Sequence, residues 1–337
     1  ERGIGFQQEA DAGTLARRIS FDLVGLPPES FEVDRFQKSN RPDRLERWTD
    51  ELLASPAFGE RLASYWFDLI RFADTVGYHG DQEHAIWPYR DYVLDALNTN
   101  RPFDQFTREQ LAGDLLPEAS VDQRIATAYN RVLQTSHEGG VQPKEYLLKY
   151  AADRVRNLSA VWLGLTMGCA ECHDHKFDDL TQRDFYQLAA FFADIQEKGD
   201  FKGAGDITPT RRDPEILVPS SIDREMITVM TKQLDALRSR QIDLLTSFAF
   251  NDWSELALKK EEISPLRPQM DRLQEEIGRV SKNKARVMVT ASTARRPVRV
   301  LARGDWMDES GPIVEPAIPT AFQSMKASPE SDQTRLD

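Results

Sequence analysis

The chain has 337 residues, 40% hydrophobic and 29% charged, with 17 Phe and 6 Trp. That is enough apolar material for one large core or two ordinary ones, and it excludes disorder along the whole length. Acidic residues number 55 against 43 basic ones, a net charge of −12, which argues against a generally basic nucleic-acid binder.

Taken in chain order, the pattern is mostly helical. Phe58, Leu62, Trp66, Leu69 and Phe72 recur at spacings of three and four and predict one helix with an apolar stripe. Pro88 suits a first helical position ahead of Tyr89, Tyr92, Val93 and Leu97. Leu147, Ala151, Val155, Leu158, Trp162 and Leu165 predict the clearest helix of this half, with its exit at Gly164 to Gly168. The uncharged run from Asn157 to Ala170 is too short to cross a bilayer, so no transmembrane segment is expected. Thr181 is a ready N-cap for a helix burying Phe185, Leu188, Phe192 and Ile195. Strand-like alternation is almost absent before residue 200, so residues 1–198 read as an all-α domain.

Gly, Pro, Asp and Thr then cluster, predicting a linker over 199–220. Met226, Met230, Leu234, Leu237, Gln241 and Leu244 mark one long helix. Leu266, Met270, Leu273, Ile277 and Val280 mark another, opened by Ser264 and Pro265. Together they predict an antiparallel helical hairpin over 221–286, nearly balanced in charge and projecting from the body. Short strands at Val287 to Thr290 and Val298 to Leu301, then a Pro- and Ser-rich tail, fill 287–337 and read as a linker toward a further domain. Both ends read as cut, so a signal peptide cannot be sought here. The expected fold class is mainly α: a helical body, a helical hairpin and a few short strands near the C-terminus.

The only two cysteines are Cys169 and Cys172, and His173 follows at once. This CxxCH spacing is the attachment pattern of c-type haem. Two thiols on one turn reach the two vinyl groups of one porphyrin edge, and the adjacent imidazole reaches the iron. Cys169, Cys172 and His173 are therefore the expected haem c residues, with His173 as the metal ligand. Three rivals stay open: a local disulfide in a secreted protein, half of a zinc site completed by His173 or His175, and a thioredoxin-like redox pair, for which no surrounding βαβ pattern exists.

Gly168-Cys169-Ala170-Glu171-Cys172-His173-Asp174-His175-Lys176-Phe177-Asp178 resembles the signature of the planctomycete secreted-cytochrome family. Further blocks resemble it in order: Asp22 to Pro28, Leu53 to Pro56, Arg71 to Thr75, Tyr89 to Val93, Arg108 to Asp114, Glu138-Gly139-Gly140, Asp153-Arg154-Val155 and Arg303-Gly304-Asp305. One departure is Asp179-Leu180, where the family turns with a proline. The resemblance implies a periplasmic or secreted protein with a cytochrome-like module, followed by a second uncharacterised domain as a partner in the same polypeptide. It implies no reaction.

Other polar residues are weighed beside these. His79, Asp81 and His84 share a polar loop between two helices, where sites are often built. Glu138, ahead of two glycines, can orient a ligand or simply precede a tight turn. His175 and Asp178 can share a non-haem metal, zinc or another divalent ion, with His173. Asp68, Arg71, Asp74, Arg90, Asp91, Asp153 and Arg154 are read as ion pairs between helices, with Arg71, Arg90 or Arg154 pairing with haem propionates as the functional alternative. For the sixth iron position His79 is preferred, with His84, His137 or an open site as alternatives. Met167 sits too near Cys169, while Met226, Met230 and Met270 are expected to pack in the hairpin. The leading functional expectation is a secreted c-type cytochrome module passing electrons to a redox partner within a larger chain. Its alternatives are a non-haem metal enzyme acting on extracellular polymer and a cell-surface module pinned by a disulfide.

Overall fold

The computed structural model describes residues 5, 8–78, 80–136, 140–199, 210–246, 260–282, 284–325 and 334–336. The architecture is mainly helical. The chain divides into two compact units, Glu1–Pro214 with Met288–Asp337, and Glu215–Val287. Among the described residues no helix is long and apolar enough to cross a membrane.

The first unit opens with α1 (Ala12–Leu23), α2 (Ser30–Lys38) and α3 (Arg44–Leu53), which bury Ala16, Phe36 and Trp48 together. Helix α4 (Pro56–Ile70) starts on a Ser55 cap and ends at Arg71 in the left-handed region, φ 60°. Its apolar stripe is narrower than the sequence suggests. Leu69 is exposed and Phe72 lies past the helix end, while Gly59, Ala63 and Ile70 are buried. Close approach to α5 (Trp87–Asn98) explains the small residues: Gly59 N–H donates to Asn98 Oδ1 at 3.0 Å, and a Cβ at Gly59 would meet that side chain at 2.5 Å.

Helices α6 (Phe103–Ala112), α7 (Val121–Ala126) and α8 (Pro143–Trp162) complete the aromatic centre. Trp66 lies edge-on to both Phe106 and Trp162, each with ring centroids 5.0 Å apart. Their indole N–H groups donate to the Tyr89 and Tyr129 hydroxyls at 3.1 and 3.0 Å, so the large rings are buried without stranding their donors. Helix α9 (Gln182–Phe191) has the expected Thr181 cap, in a capping box with Asp184, and buries Phe185, Leu188, Phe192 and Ile195 at its face and exit. A two-residue hairpin, β1 (Thr75–Val76) with β2 (Gln82–Glu83), sits in the loop before α5, where no strand is expected. Its antiparallel pairing closes the loop that carries Asp81, and His84 follows β2 directly.

In the second unit, α10 (Ser221–Thr246) packs on α11 (Leu266–Val280), and β3 (Glu215–Pro219) pairs with β4 (Lys284–Met288). On α11, Leu266 and Val280 are buried and Met270, Leu273 and Ile277 half-buried, at the expected spacing, whereas Met226 on α10 is exposed instead of packed. Back in the first unit, β5 (Val298–Arg299) and β6 (Ile313–Val314) form an antiparallel pair. The composition-based linker is in part built into the first unit. Arg212 is fully buried there and donates to Thr135 Oγ1 at 2.7 Å and Gln82 Oε1 at 3.0 Å.

Candidate functional site

The CxxCH segment is a short 3-10 stretch, Met167–Glu171, whose exit is tied by Cys172 and His173 N–H groups donating to the Cys169 carbonyl at 3.2 and 3.3 Å. Its small period puts Met167 and Ala170 into the core with Val155, Leu180, Phe185 and Leu301, and turns Cys169 and Cys172 outward. Both thiols are free and exposed, so no disulfide pins the turn.

Neighbouring elements brace it. Tyr186 OH donates to the Glu171 carbonyl at 2.9 Å, and Gln182 Nε2 bridges the Glu171 and Leu301 carbonyls at 3.1 and 2.8 Å. Arg156 pairs with the Glu171 carboxylate. Gly304, at φ 72°, lies so close that a Cβ there would sit 2.9 Å from Cys172 Sγ. A side chain at 304 would be strained by the backbone conformation and would press on the thiol. The Arg303-Gly304-Asp305 block, more than 130 residues away in sequence, is part of the same site.

His173 is exposed, and its Nδ1 lies 2.8 Å from the Asp174 carbonyl oxygen. With Nδ1–H donated there, Nε2 carries the lone pair and is the nitrogen left for a metal. His175 is used differently: its backbone N–H donates to Leu180 O at 2.8 Å, and its Nδ1 accepts the Asp178 N–H at 2.9 Å. The Asp179-Leu180 departure is accommodated by this turn, since Leu180 N–H donates to Asp178 O at 2.8 Å and the Leu180 side chain fills the core. Among the described residues no three His, Cys, Asp or Glu side chains converge on a metal-binding point. His175 Nδ1 and Asp178 Oδ2 lie 3.1 Å apart, but among the described residues His173 is not brought to them as a third ligand.

Beside the turn lies a largely apolar cleft of about 410 Å³, bordered by Glu171, Tyr186, Leu301, Gly304 and Trp306. The turn carries two free thiols and a His173 whose Nε2 is open, and the cleft meets it at Glu171 and Gly304. Of the guanidiniums weighed for propionates, Arg90 is exposed, and the other two have partners of their own. Arg71 makes a bidentate pair with Asp153 at 2.8 Å, and Arg154 is buried against Glu197.

A second concavity, about 450 Å³, is lined by Arg71, Thr75, Asp81, His84 and Gln134. His84 is 7% exposed and its Nε2 donates to the Ala73 carbonyl at 2.8 Å. Burial pushes its pKa down to about 4, the nearby Arg212 and Arg131 adding to the shift against the Ala73 bond and Asp74. His84 borders this loop cavity and is not among the residues lining the cleft beside the CxxCH turn. His79, His137 and Glu138 lie outside the described residues. Sequence patterns missed Gln182, Tyr186 and Trp306, since bracing contacts across distant segments leave no local period.

Residues 1–197 match the family described as PSCyt2, protein of unknown function (DUF1549). Neither the curated proteins nor the solved structures compared with the chain gave a match. The matched span covers more than half of the chain and includes α1 to α9 with the whole CxxCH turn, so the chain belongs to the PSCyt2 (DUF1549) family.

Proposed function

We propose that Cys169 and Cys172 attach haem c covalently, with His173 as its axial ligand, and that the protein is an extracytoplasmic electron-transfer module. The observation that carries this reading is a pair of free, exposed thiols on one turn, followed by a histidine whose Nε2 is open. Haem held there would supply a one-electron couple. The chain's own part is positional. The Asp174 carbonyl fixes the His173 tautomer, Gly304 leaves room for the Cys172 sulfur, and Tyr186 with Gln182 holds the turn against α9. Thioether attachment takes place outside the cytoplasm, which supports a periplasmic or secreted location, with a further domain of the same polypeptide and an external redox protein as partners.

Protein matured in a host with periplasmic haem-attachment machinery is expected to be red, with a Soret band that survives denaturation and acid extraction. Changing both Cys169 and Cys172 to Ala is expected to abolish that resistant band. A colourless wild-type protein carrying stoichiometric zinc would reject the reading. Excising residues 222–285 is expected to leave the pigment in place; its loss would make the hairpin part of the site.

A further inference from the structure

Outside the CxxCH turn, the first unit closes on one arginine. Arg335 belongs to the short segment 334–336, yet its side chain is 1% exposed. It lies between Asp114, just past α6, and Asp194, just past α9. Asp114 meets the Nη1–Nη2 edge of the guanidinium at 2.8 and 2.7 Å, and Asp194 meets the Nε–Nη2 edge at 2.9 and 3.0 Å. Nη1 also donates to the Leu111 carbonyl at 2.8 Å. All the N–H donors of the planar fork are thereby used, with both carboxylates bidentate.

Charge sets this contact apart from an ordinary ion pair. Two carboxylates, with side chains 8% and 10% exposed, face a single guanidinium. Asp194 also accepts the Ser292 hydroxyl at 2.7 Å, which leaves its charge in place. With Arg335 withdrawn, two nearly buried anions would share one hollow, an arrangement that disfavours their ionised forms. The hollow therefore calls for a cation. Its two bidentate edges select a flat guanidinium over the point charge of an ammonium.

Position supplies the second observation. The partners of Arg335 lie 221 and 141 residues away in sequence. Thr334 Oγ1 accepts the Leu336 N–H at 3.1 Å, a local turn that presents the arginine between them. Thr334 and Arg335, with Pro319 and Phe322, border a mostly apolar cavity of about 590 Å³ that also touches Trp162 on α8 and Phe191 on α9. The 319–322 stretch has its own tie, because the Thr320 N–H and hydroxyl donate to Asp184 Oδ1 at 2.9 and 3.0 Å. The non-helical wall of this cavity is thus fastened by side-chain bonds to carboxylates.

We propose that Asp114, Asp194 and the Leu111 carbonyl form a docking site for an arginine presented on a peptide turn. The chain fills it in cis with Arg335, and this contact holds one wall of the apolar cavity in place. An arginine-bearing segment of the same shape competes for the site. The proposal is independent of haem attachment.

The test compares the full chain with its Arg335→Ala variant. Acetyl-Thr-Arg-Leu-amide serves as the docking probe and N-phenylnaphthylamine as a neutral apolar probe. The variant is expected to bind this peptide saturably and at least about tenfold more tightly than acetyl-Thr-Lys-Leu-amide. The parent, whose site is filled, is expected to bind it at least about tenfold more weakly than the variant does. The variant is also expected to take up more N-phenylnaphthylamine than the parent, read by energy transfer from tryptophan. Equal affinity of the variant for the two peptides, or equal dye uptake by parent and variant, would overturn the proposal. Arg335→Lys keeps a cation in the hollow and covers a failure of the Ala variant to fold. Its affinity for the arginine peptide is expected to exceed the parent's, and an affinity equal to the parent's would equally overturn the proposal.

Discussion

Replacing Arg154 with Ala is expected to destabilise the first unit by about 3–5 kcal/mol, the cost typical of leaving one partner of a buried ion pair alone. Arg154 is 5% exposed and sits on α8. Its Nη1 and Nη2 meet Glu197 Oε1 and Oε2 at 2.9 and 2.6 Å, and Nε donates to the Asn130 carbonyl at 2.9 Å. Glu197 is shared with Arg296 at 3.1 Å, and Arg296 also donates to the Ile195 carbonyl at 2.7 Å. One carboxylate therefore ties α8, the exit of α9 and the segment before β5. Without Arg154 it keeps only the partly exposed Arg296, and the Asn130 carbonyl loses a donor. At roughly 2–4 °C per kcal/mol for a domain of this size, the midpoint should fall by about 6–20 °C in calorimetry. Pairing Arg154→Met with Glu197→Leu should recover much of the loss, because removing both charges also removes their desolvation cost. Equal destabilisation by the single and double changes would show that packing, not charge, dominates at this position.

This pair also marks how far the sequence could be read. Charged residues on an otherwise apolar helix suggest ion pairs, and Arg71 with Asp153 and Arg154 with Glu197 are such pairs. The partner of Arg154, however, lies 43 residues on, beyond any helical period. Elements with a strong local rule were legible: the Thr181 cap with its apolar stripe, and the seam from Leu266 to Val280, because capping chemistry and 3.6-residue periodicity act within a few turns. Helix α4 misled because its tight contact selects small residues, which a search for large apolar side chains overlooks. The CxxCH spacing was legible, but its bracing by Gly304 and Gln182 was not.

The second large effect is a loss of stability in mild acid, traced to His84. Its folded pKa is about 4 against an ordinary value of 6.5, because burial disfavours the imidazolium and Arg212 and Arg131 repel it more than Asp74 attracts it. The unfolded chain therefore binds more protons than the folded one between these values, so stability rises with pH across that interval. Above about pH 7 the full contribution is present. Falling pH removes it at up to about 1.4 kcal/mol per unit, for a total of about 3 kcal/mol by pH 4. The carboxylates held below their ordinary range, Glu109 among Gln105, Tyr92 and Arg101, and Asp184 among Thr181 and Thr320, start from 4.5 and 3.8 and add their losses mainly below that interval. Urea unfolding at steps from pH 7.5 to 4.5 should therefore show a decline that His84→Gln largely removes, the amide N–H replacing the donor to the Ala73 carbonyl. A variant as acid-sensitive as the parent would place the titrating group elsewhere. His84 borders the loop cavity with Arg71 and Asp81, and acid that charges it is expected to loosen that loop before the helical core.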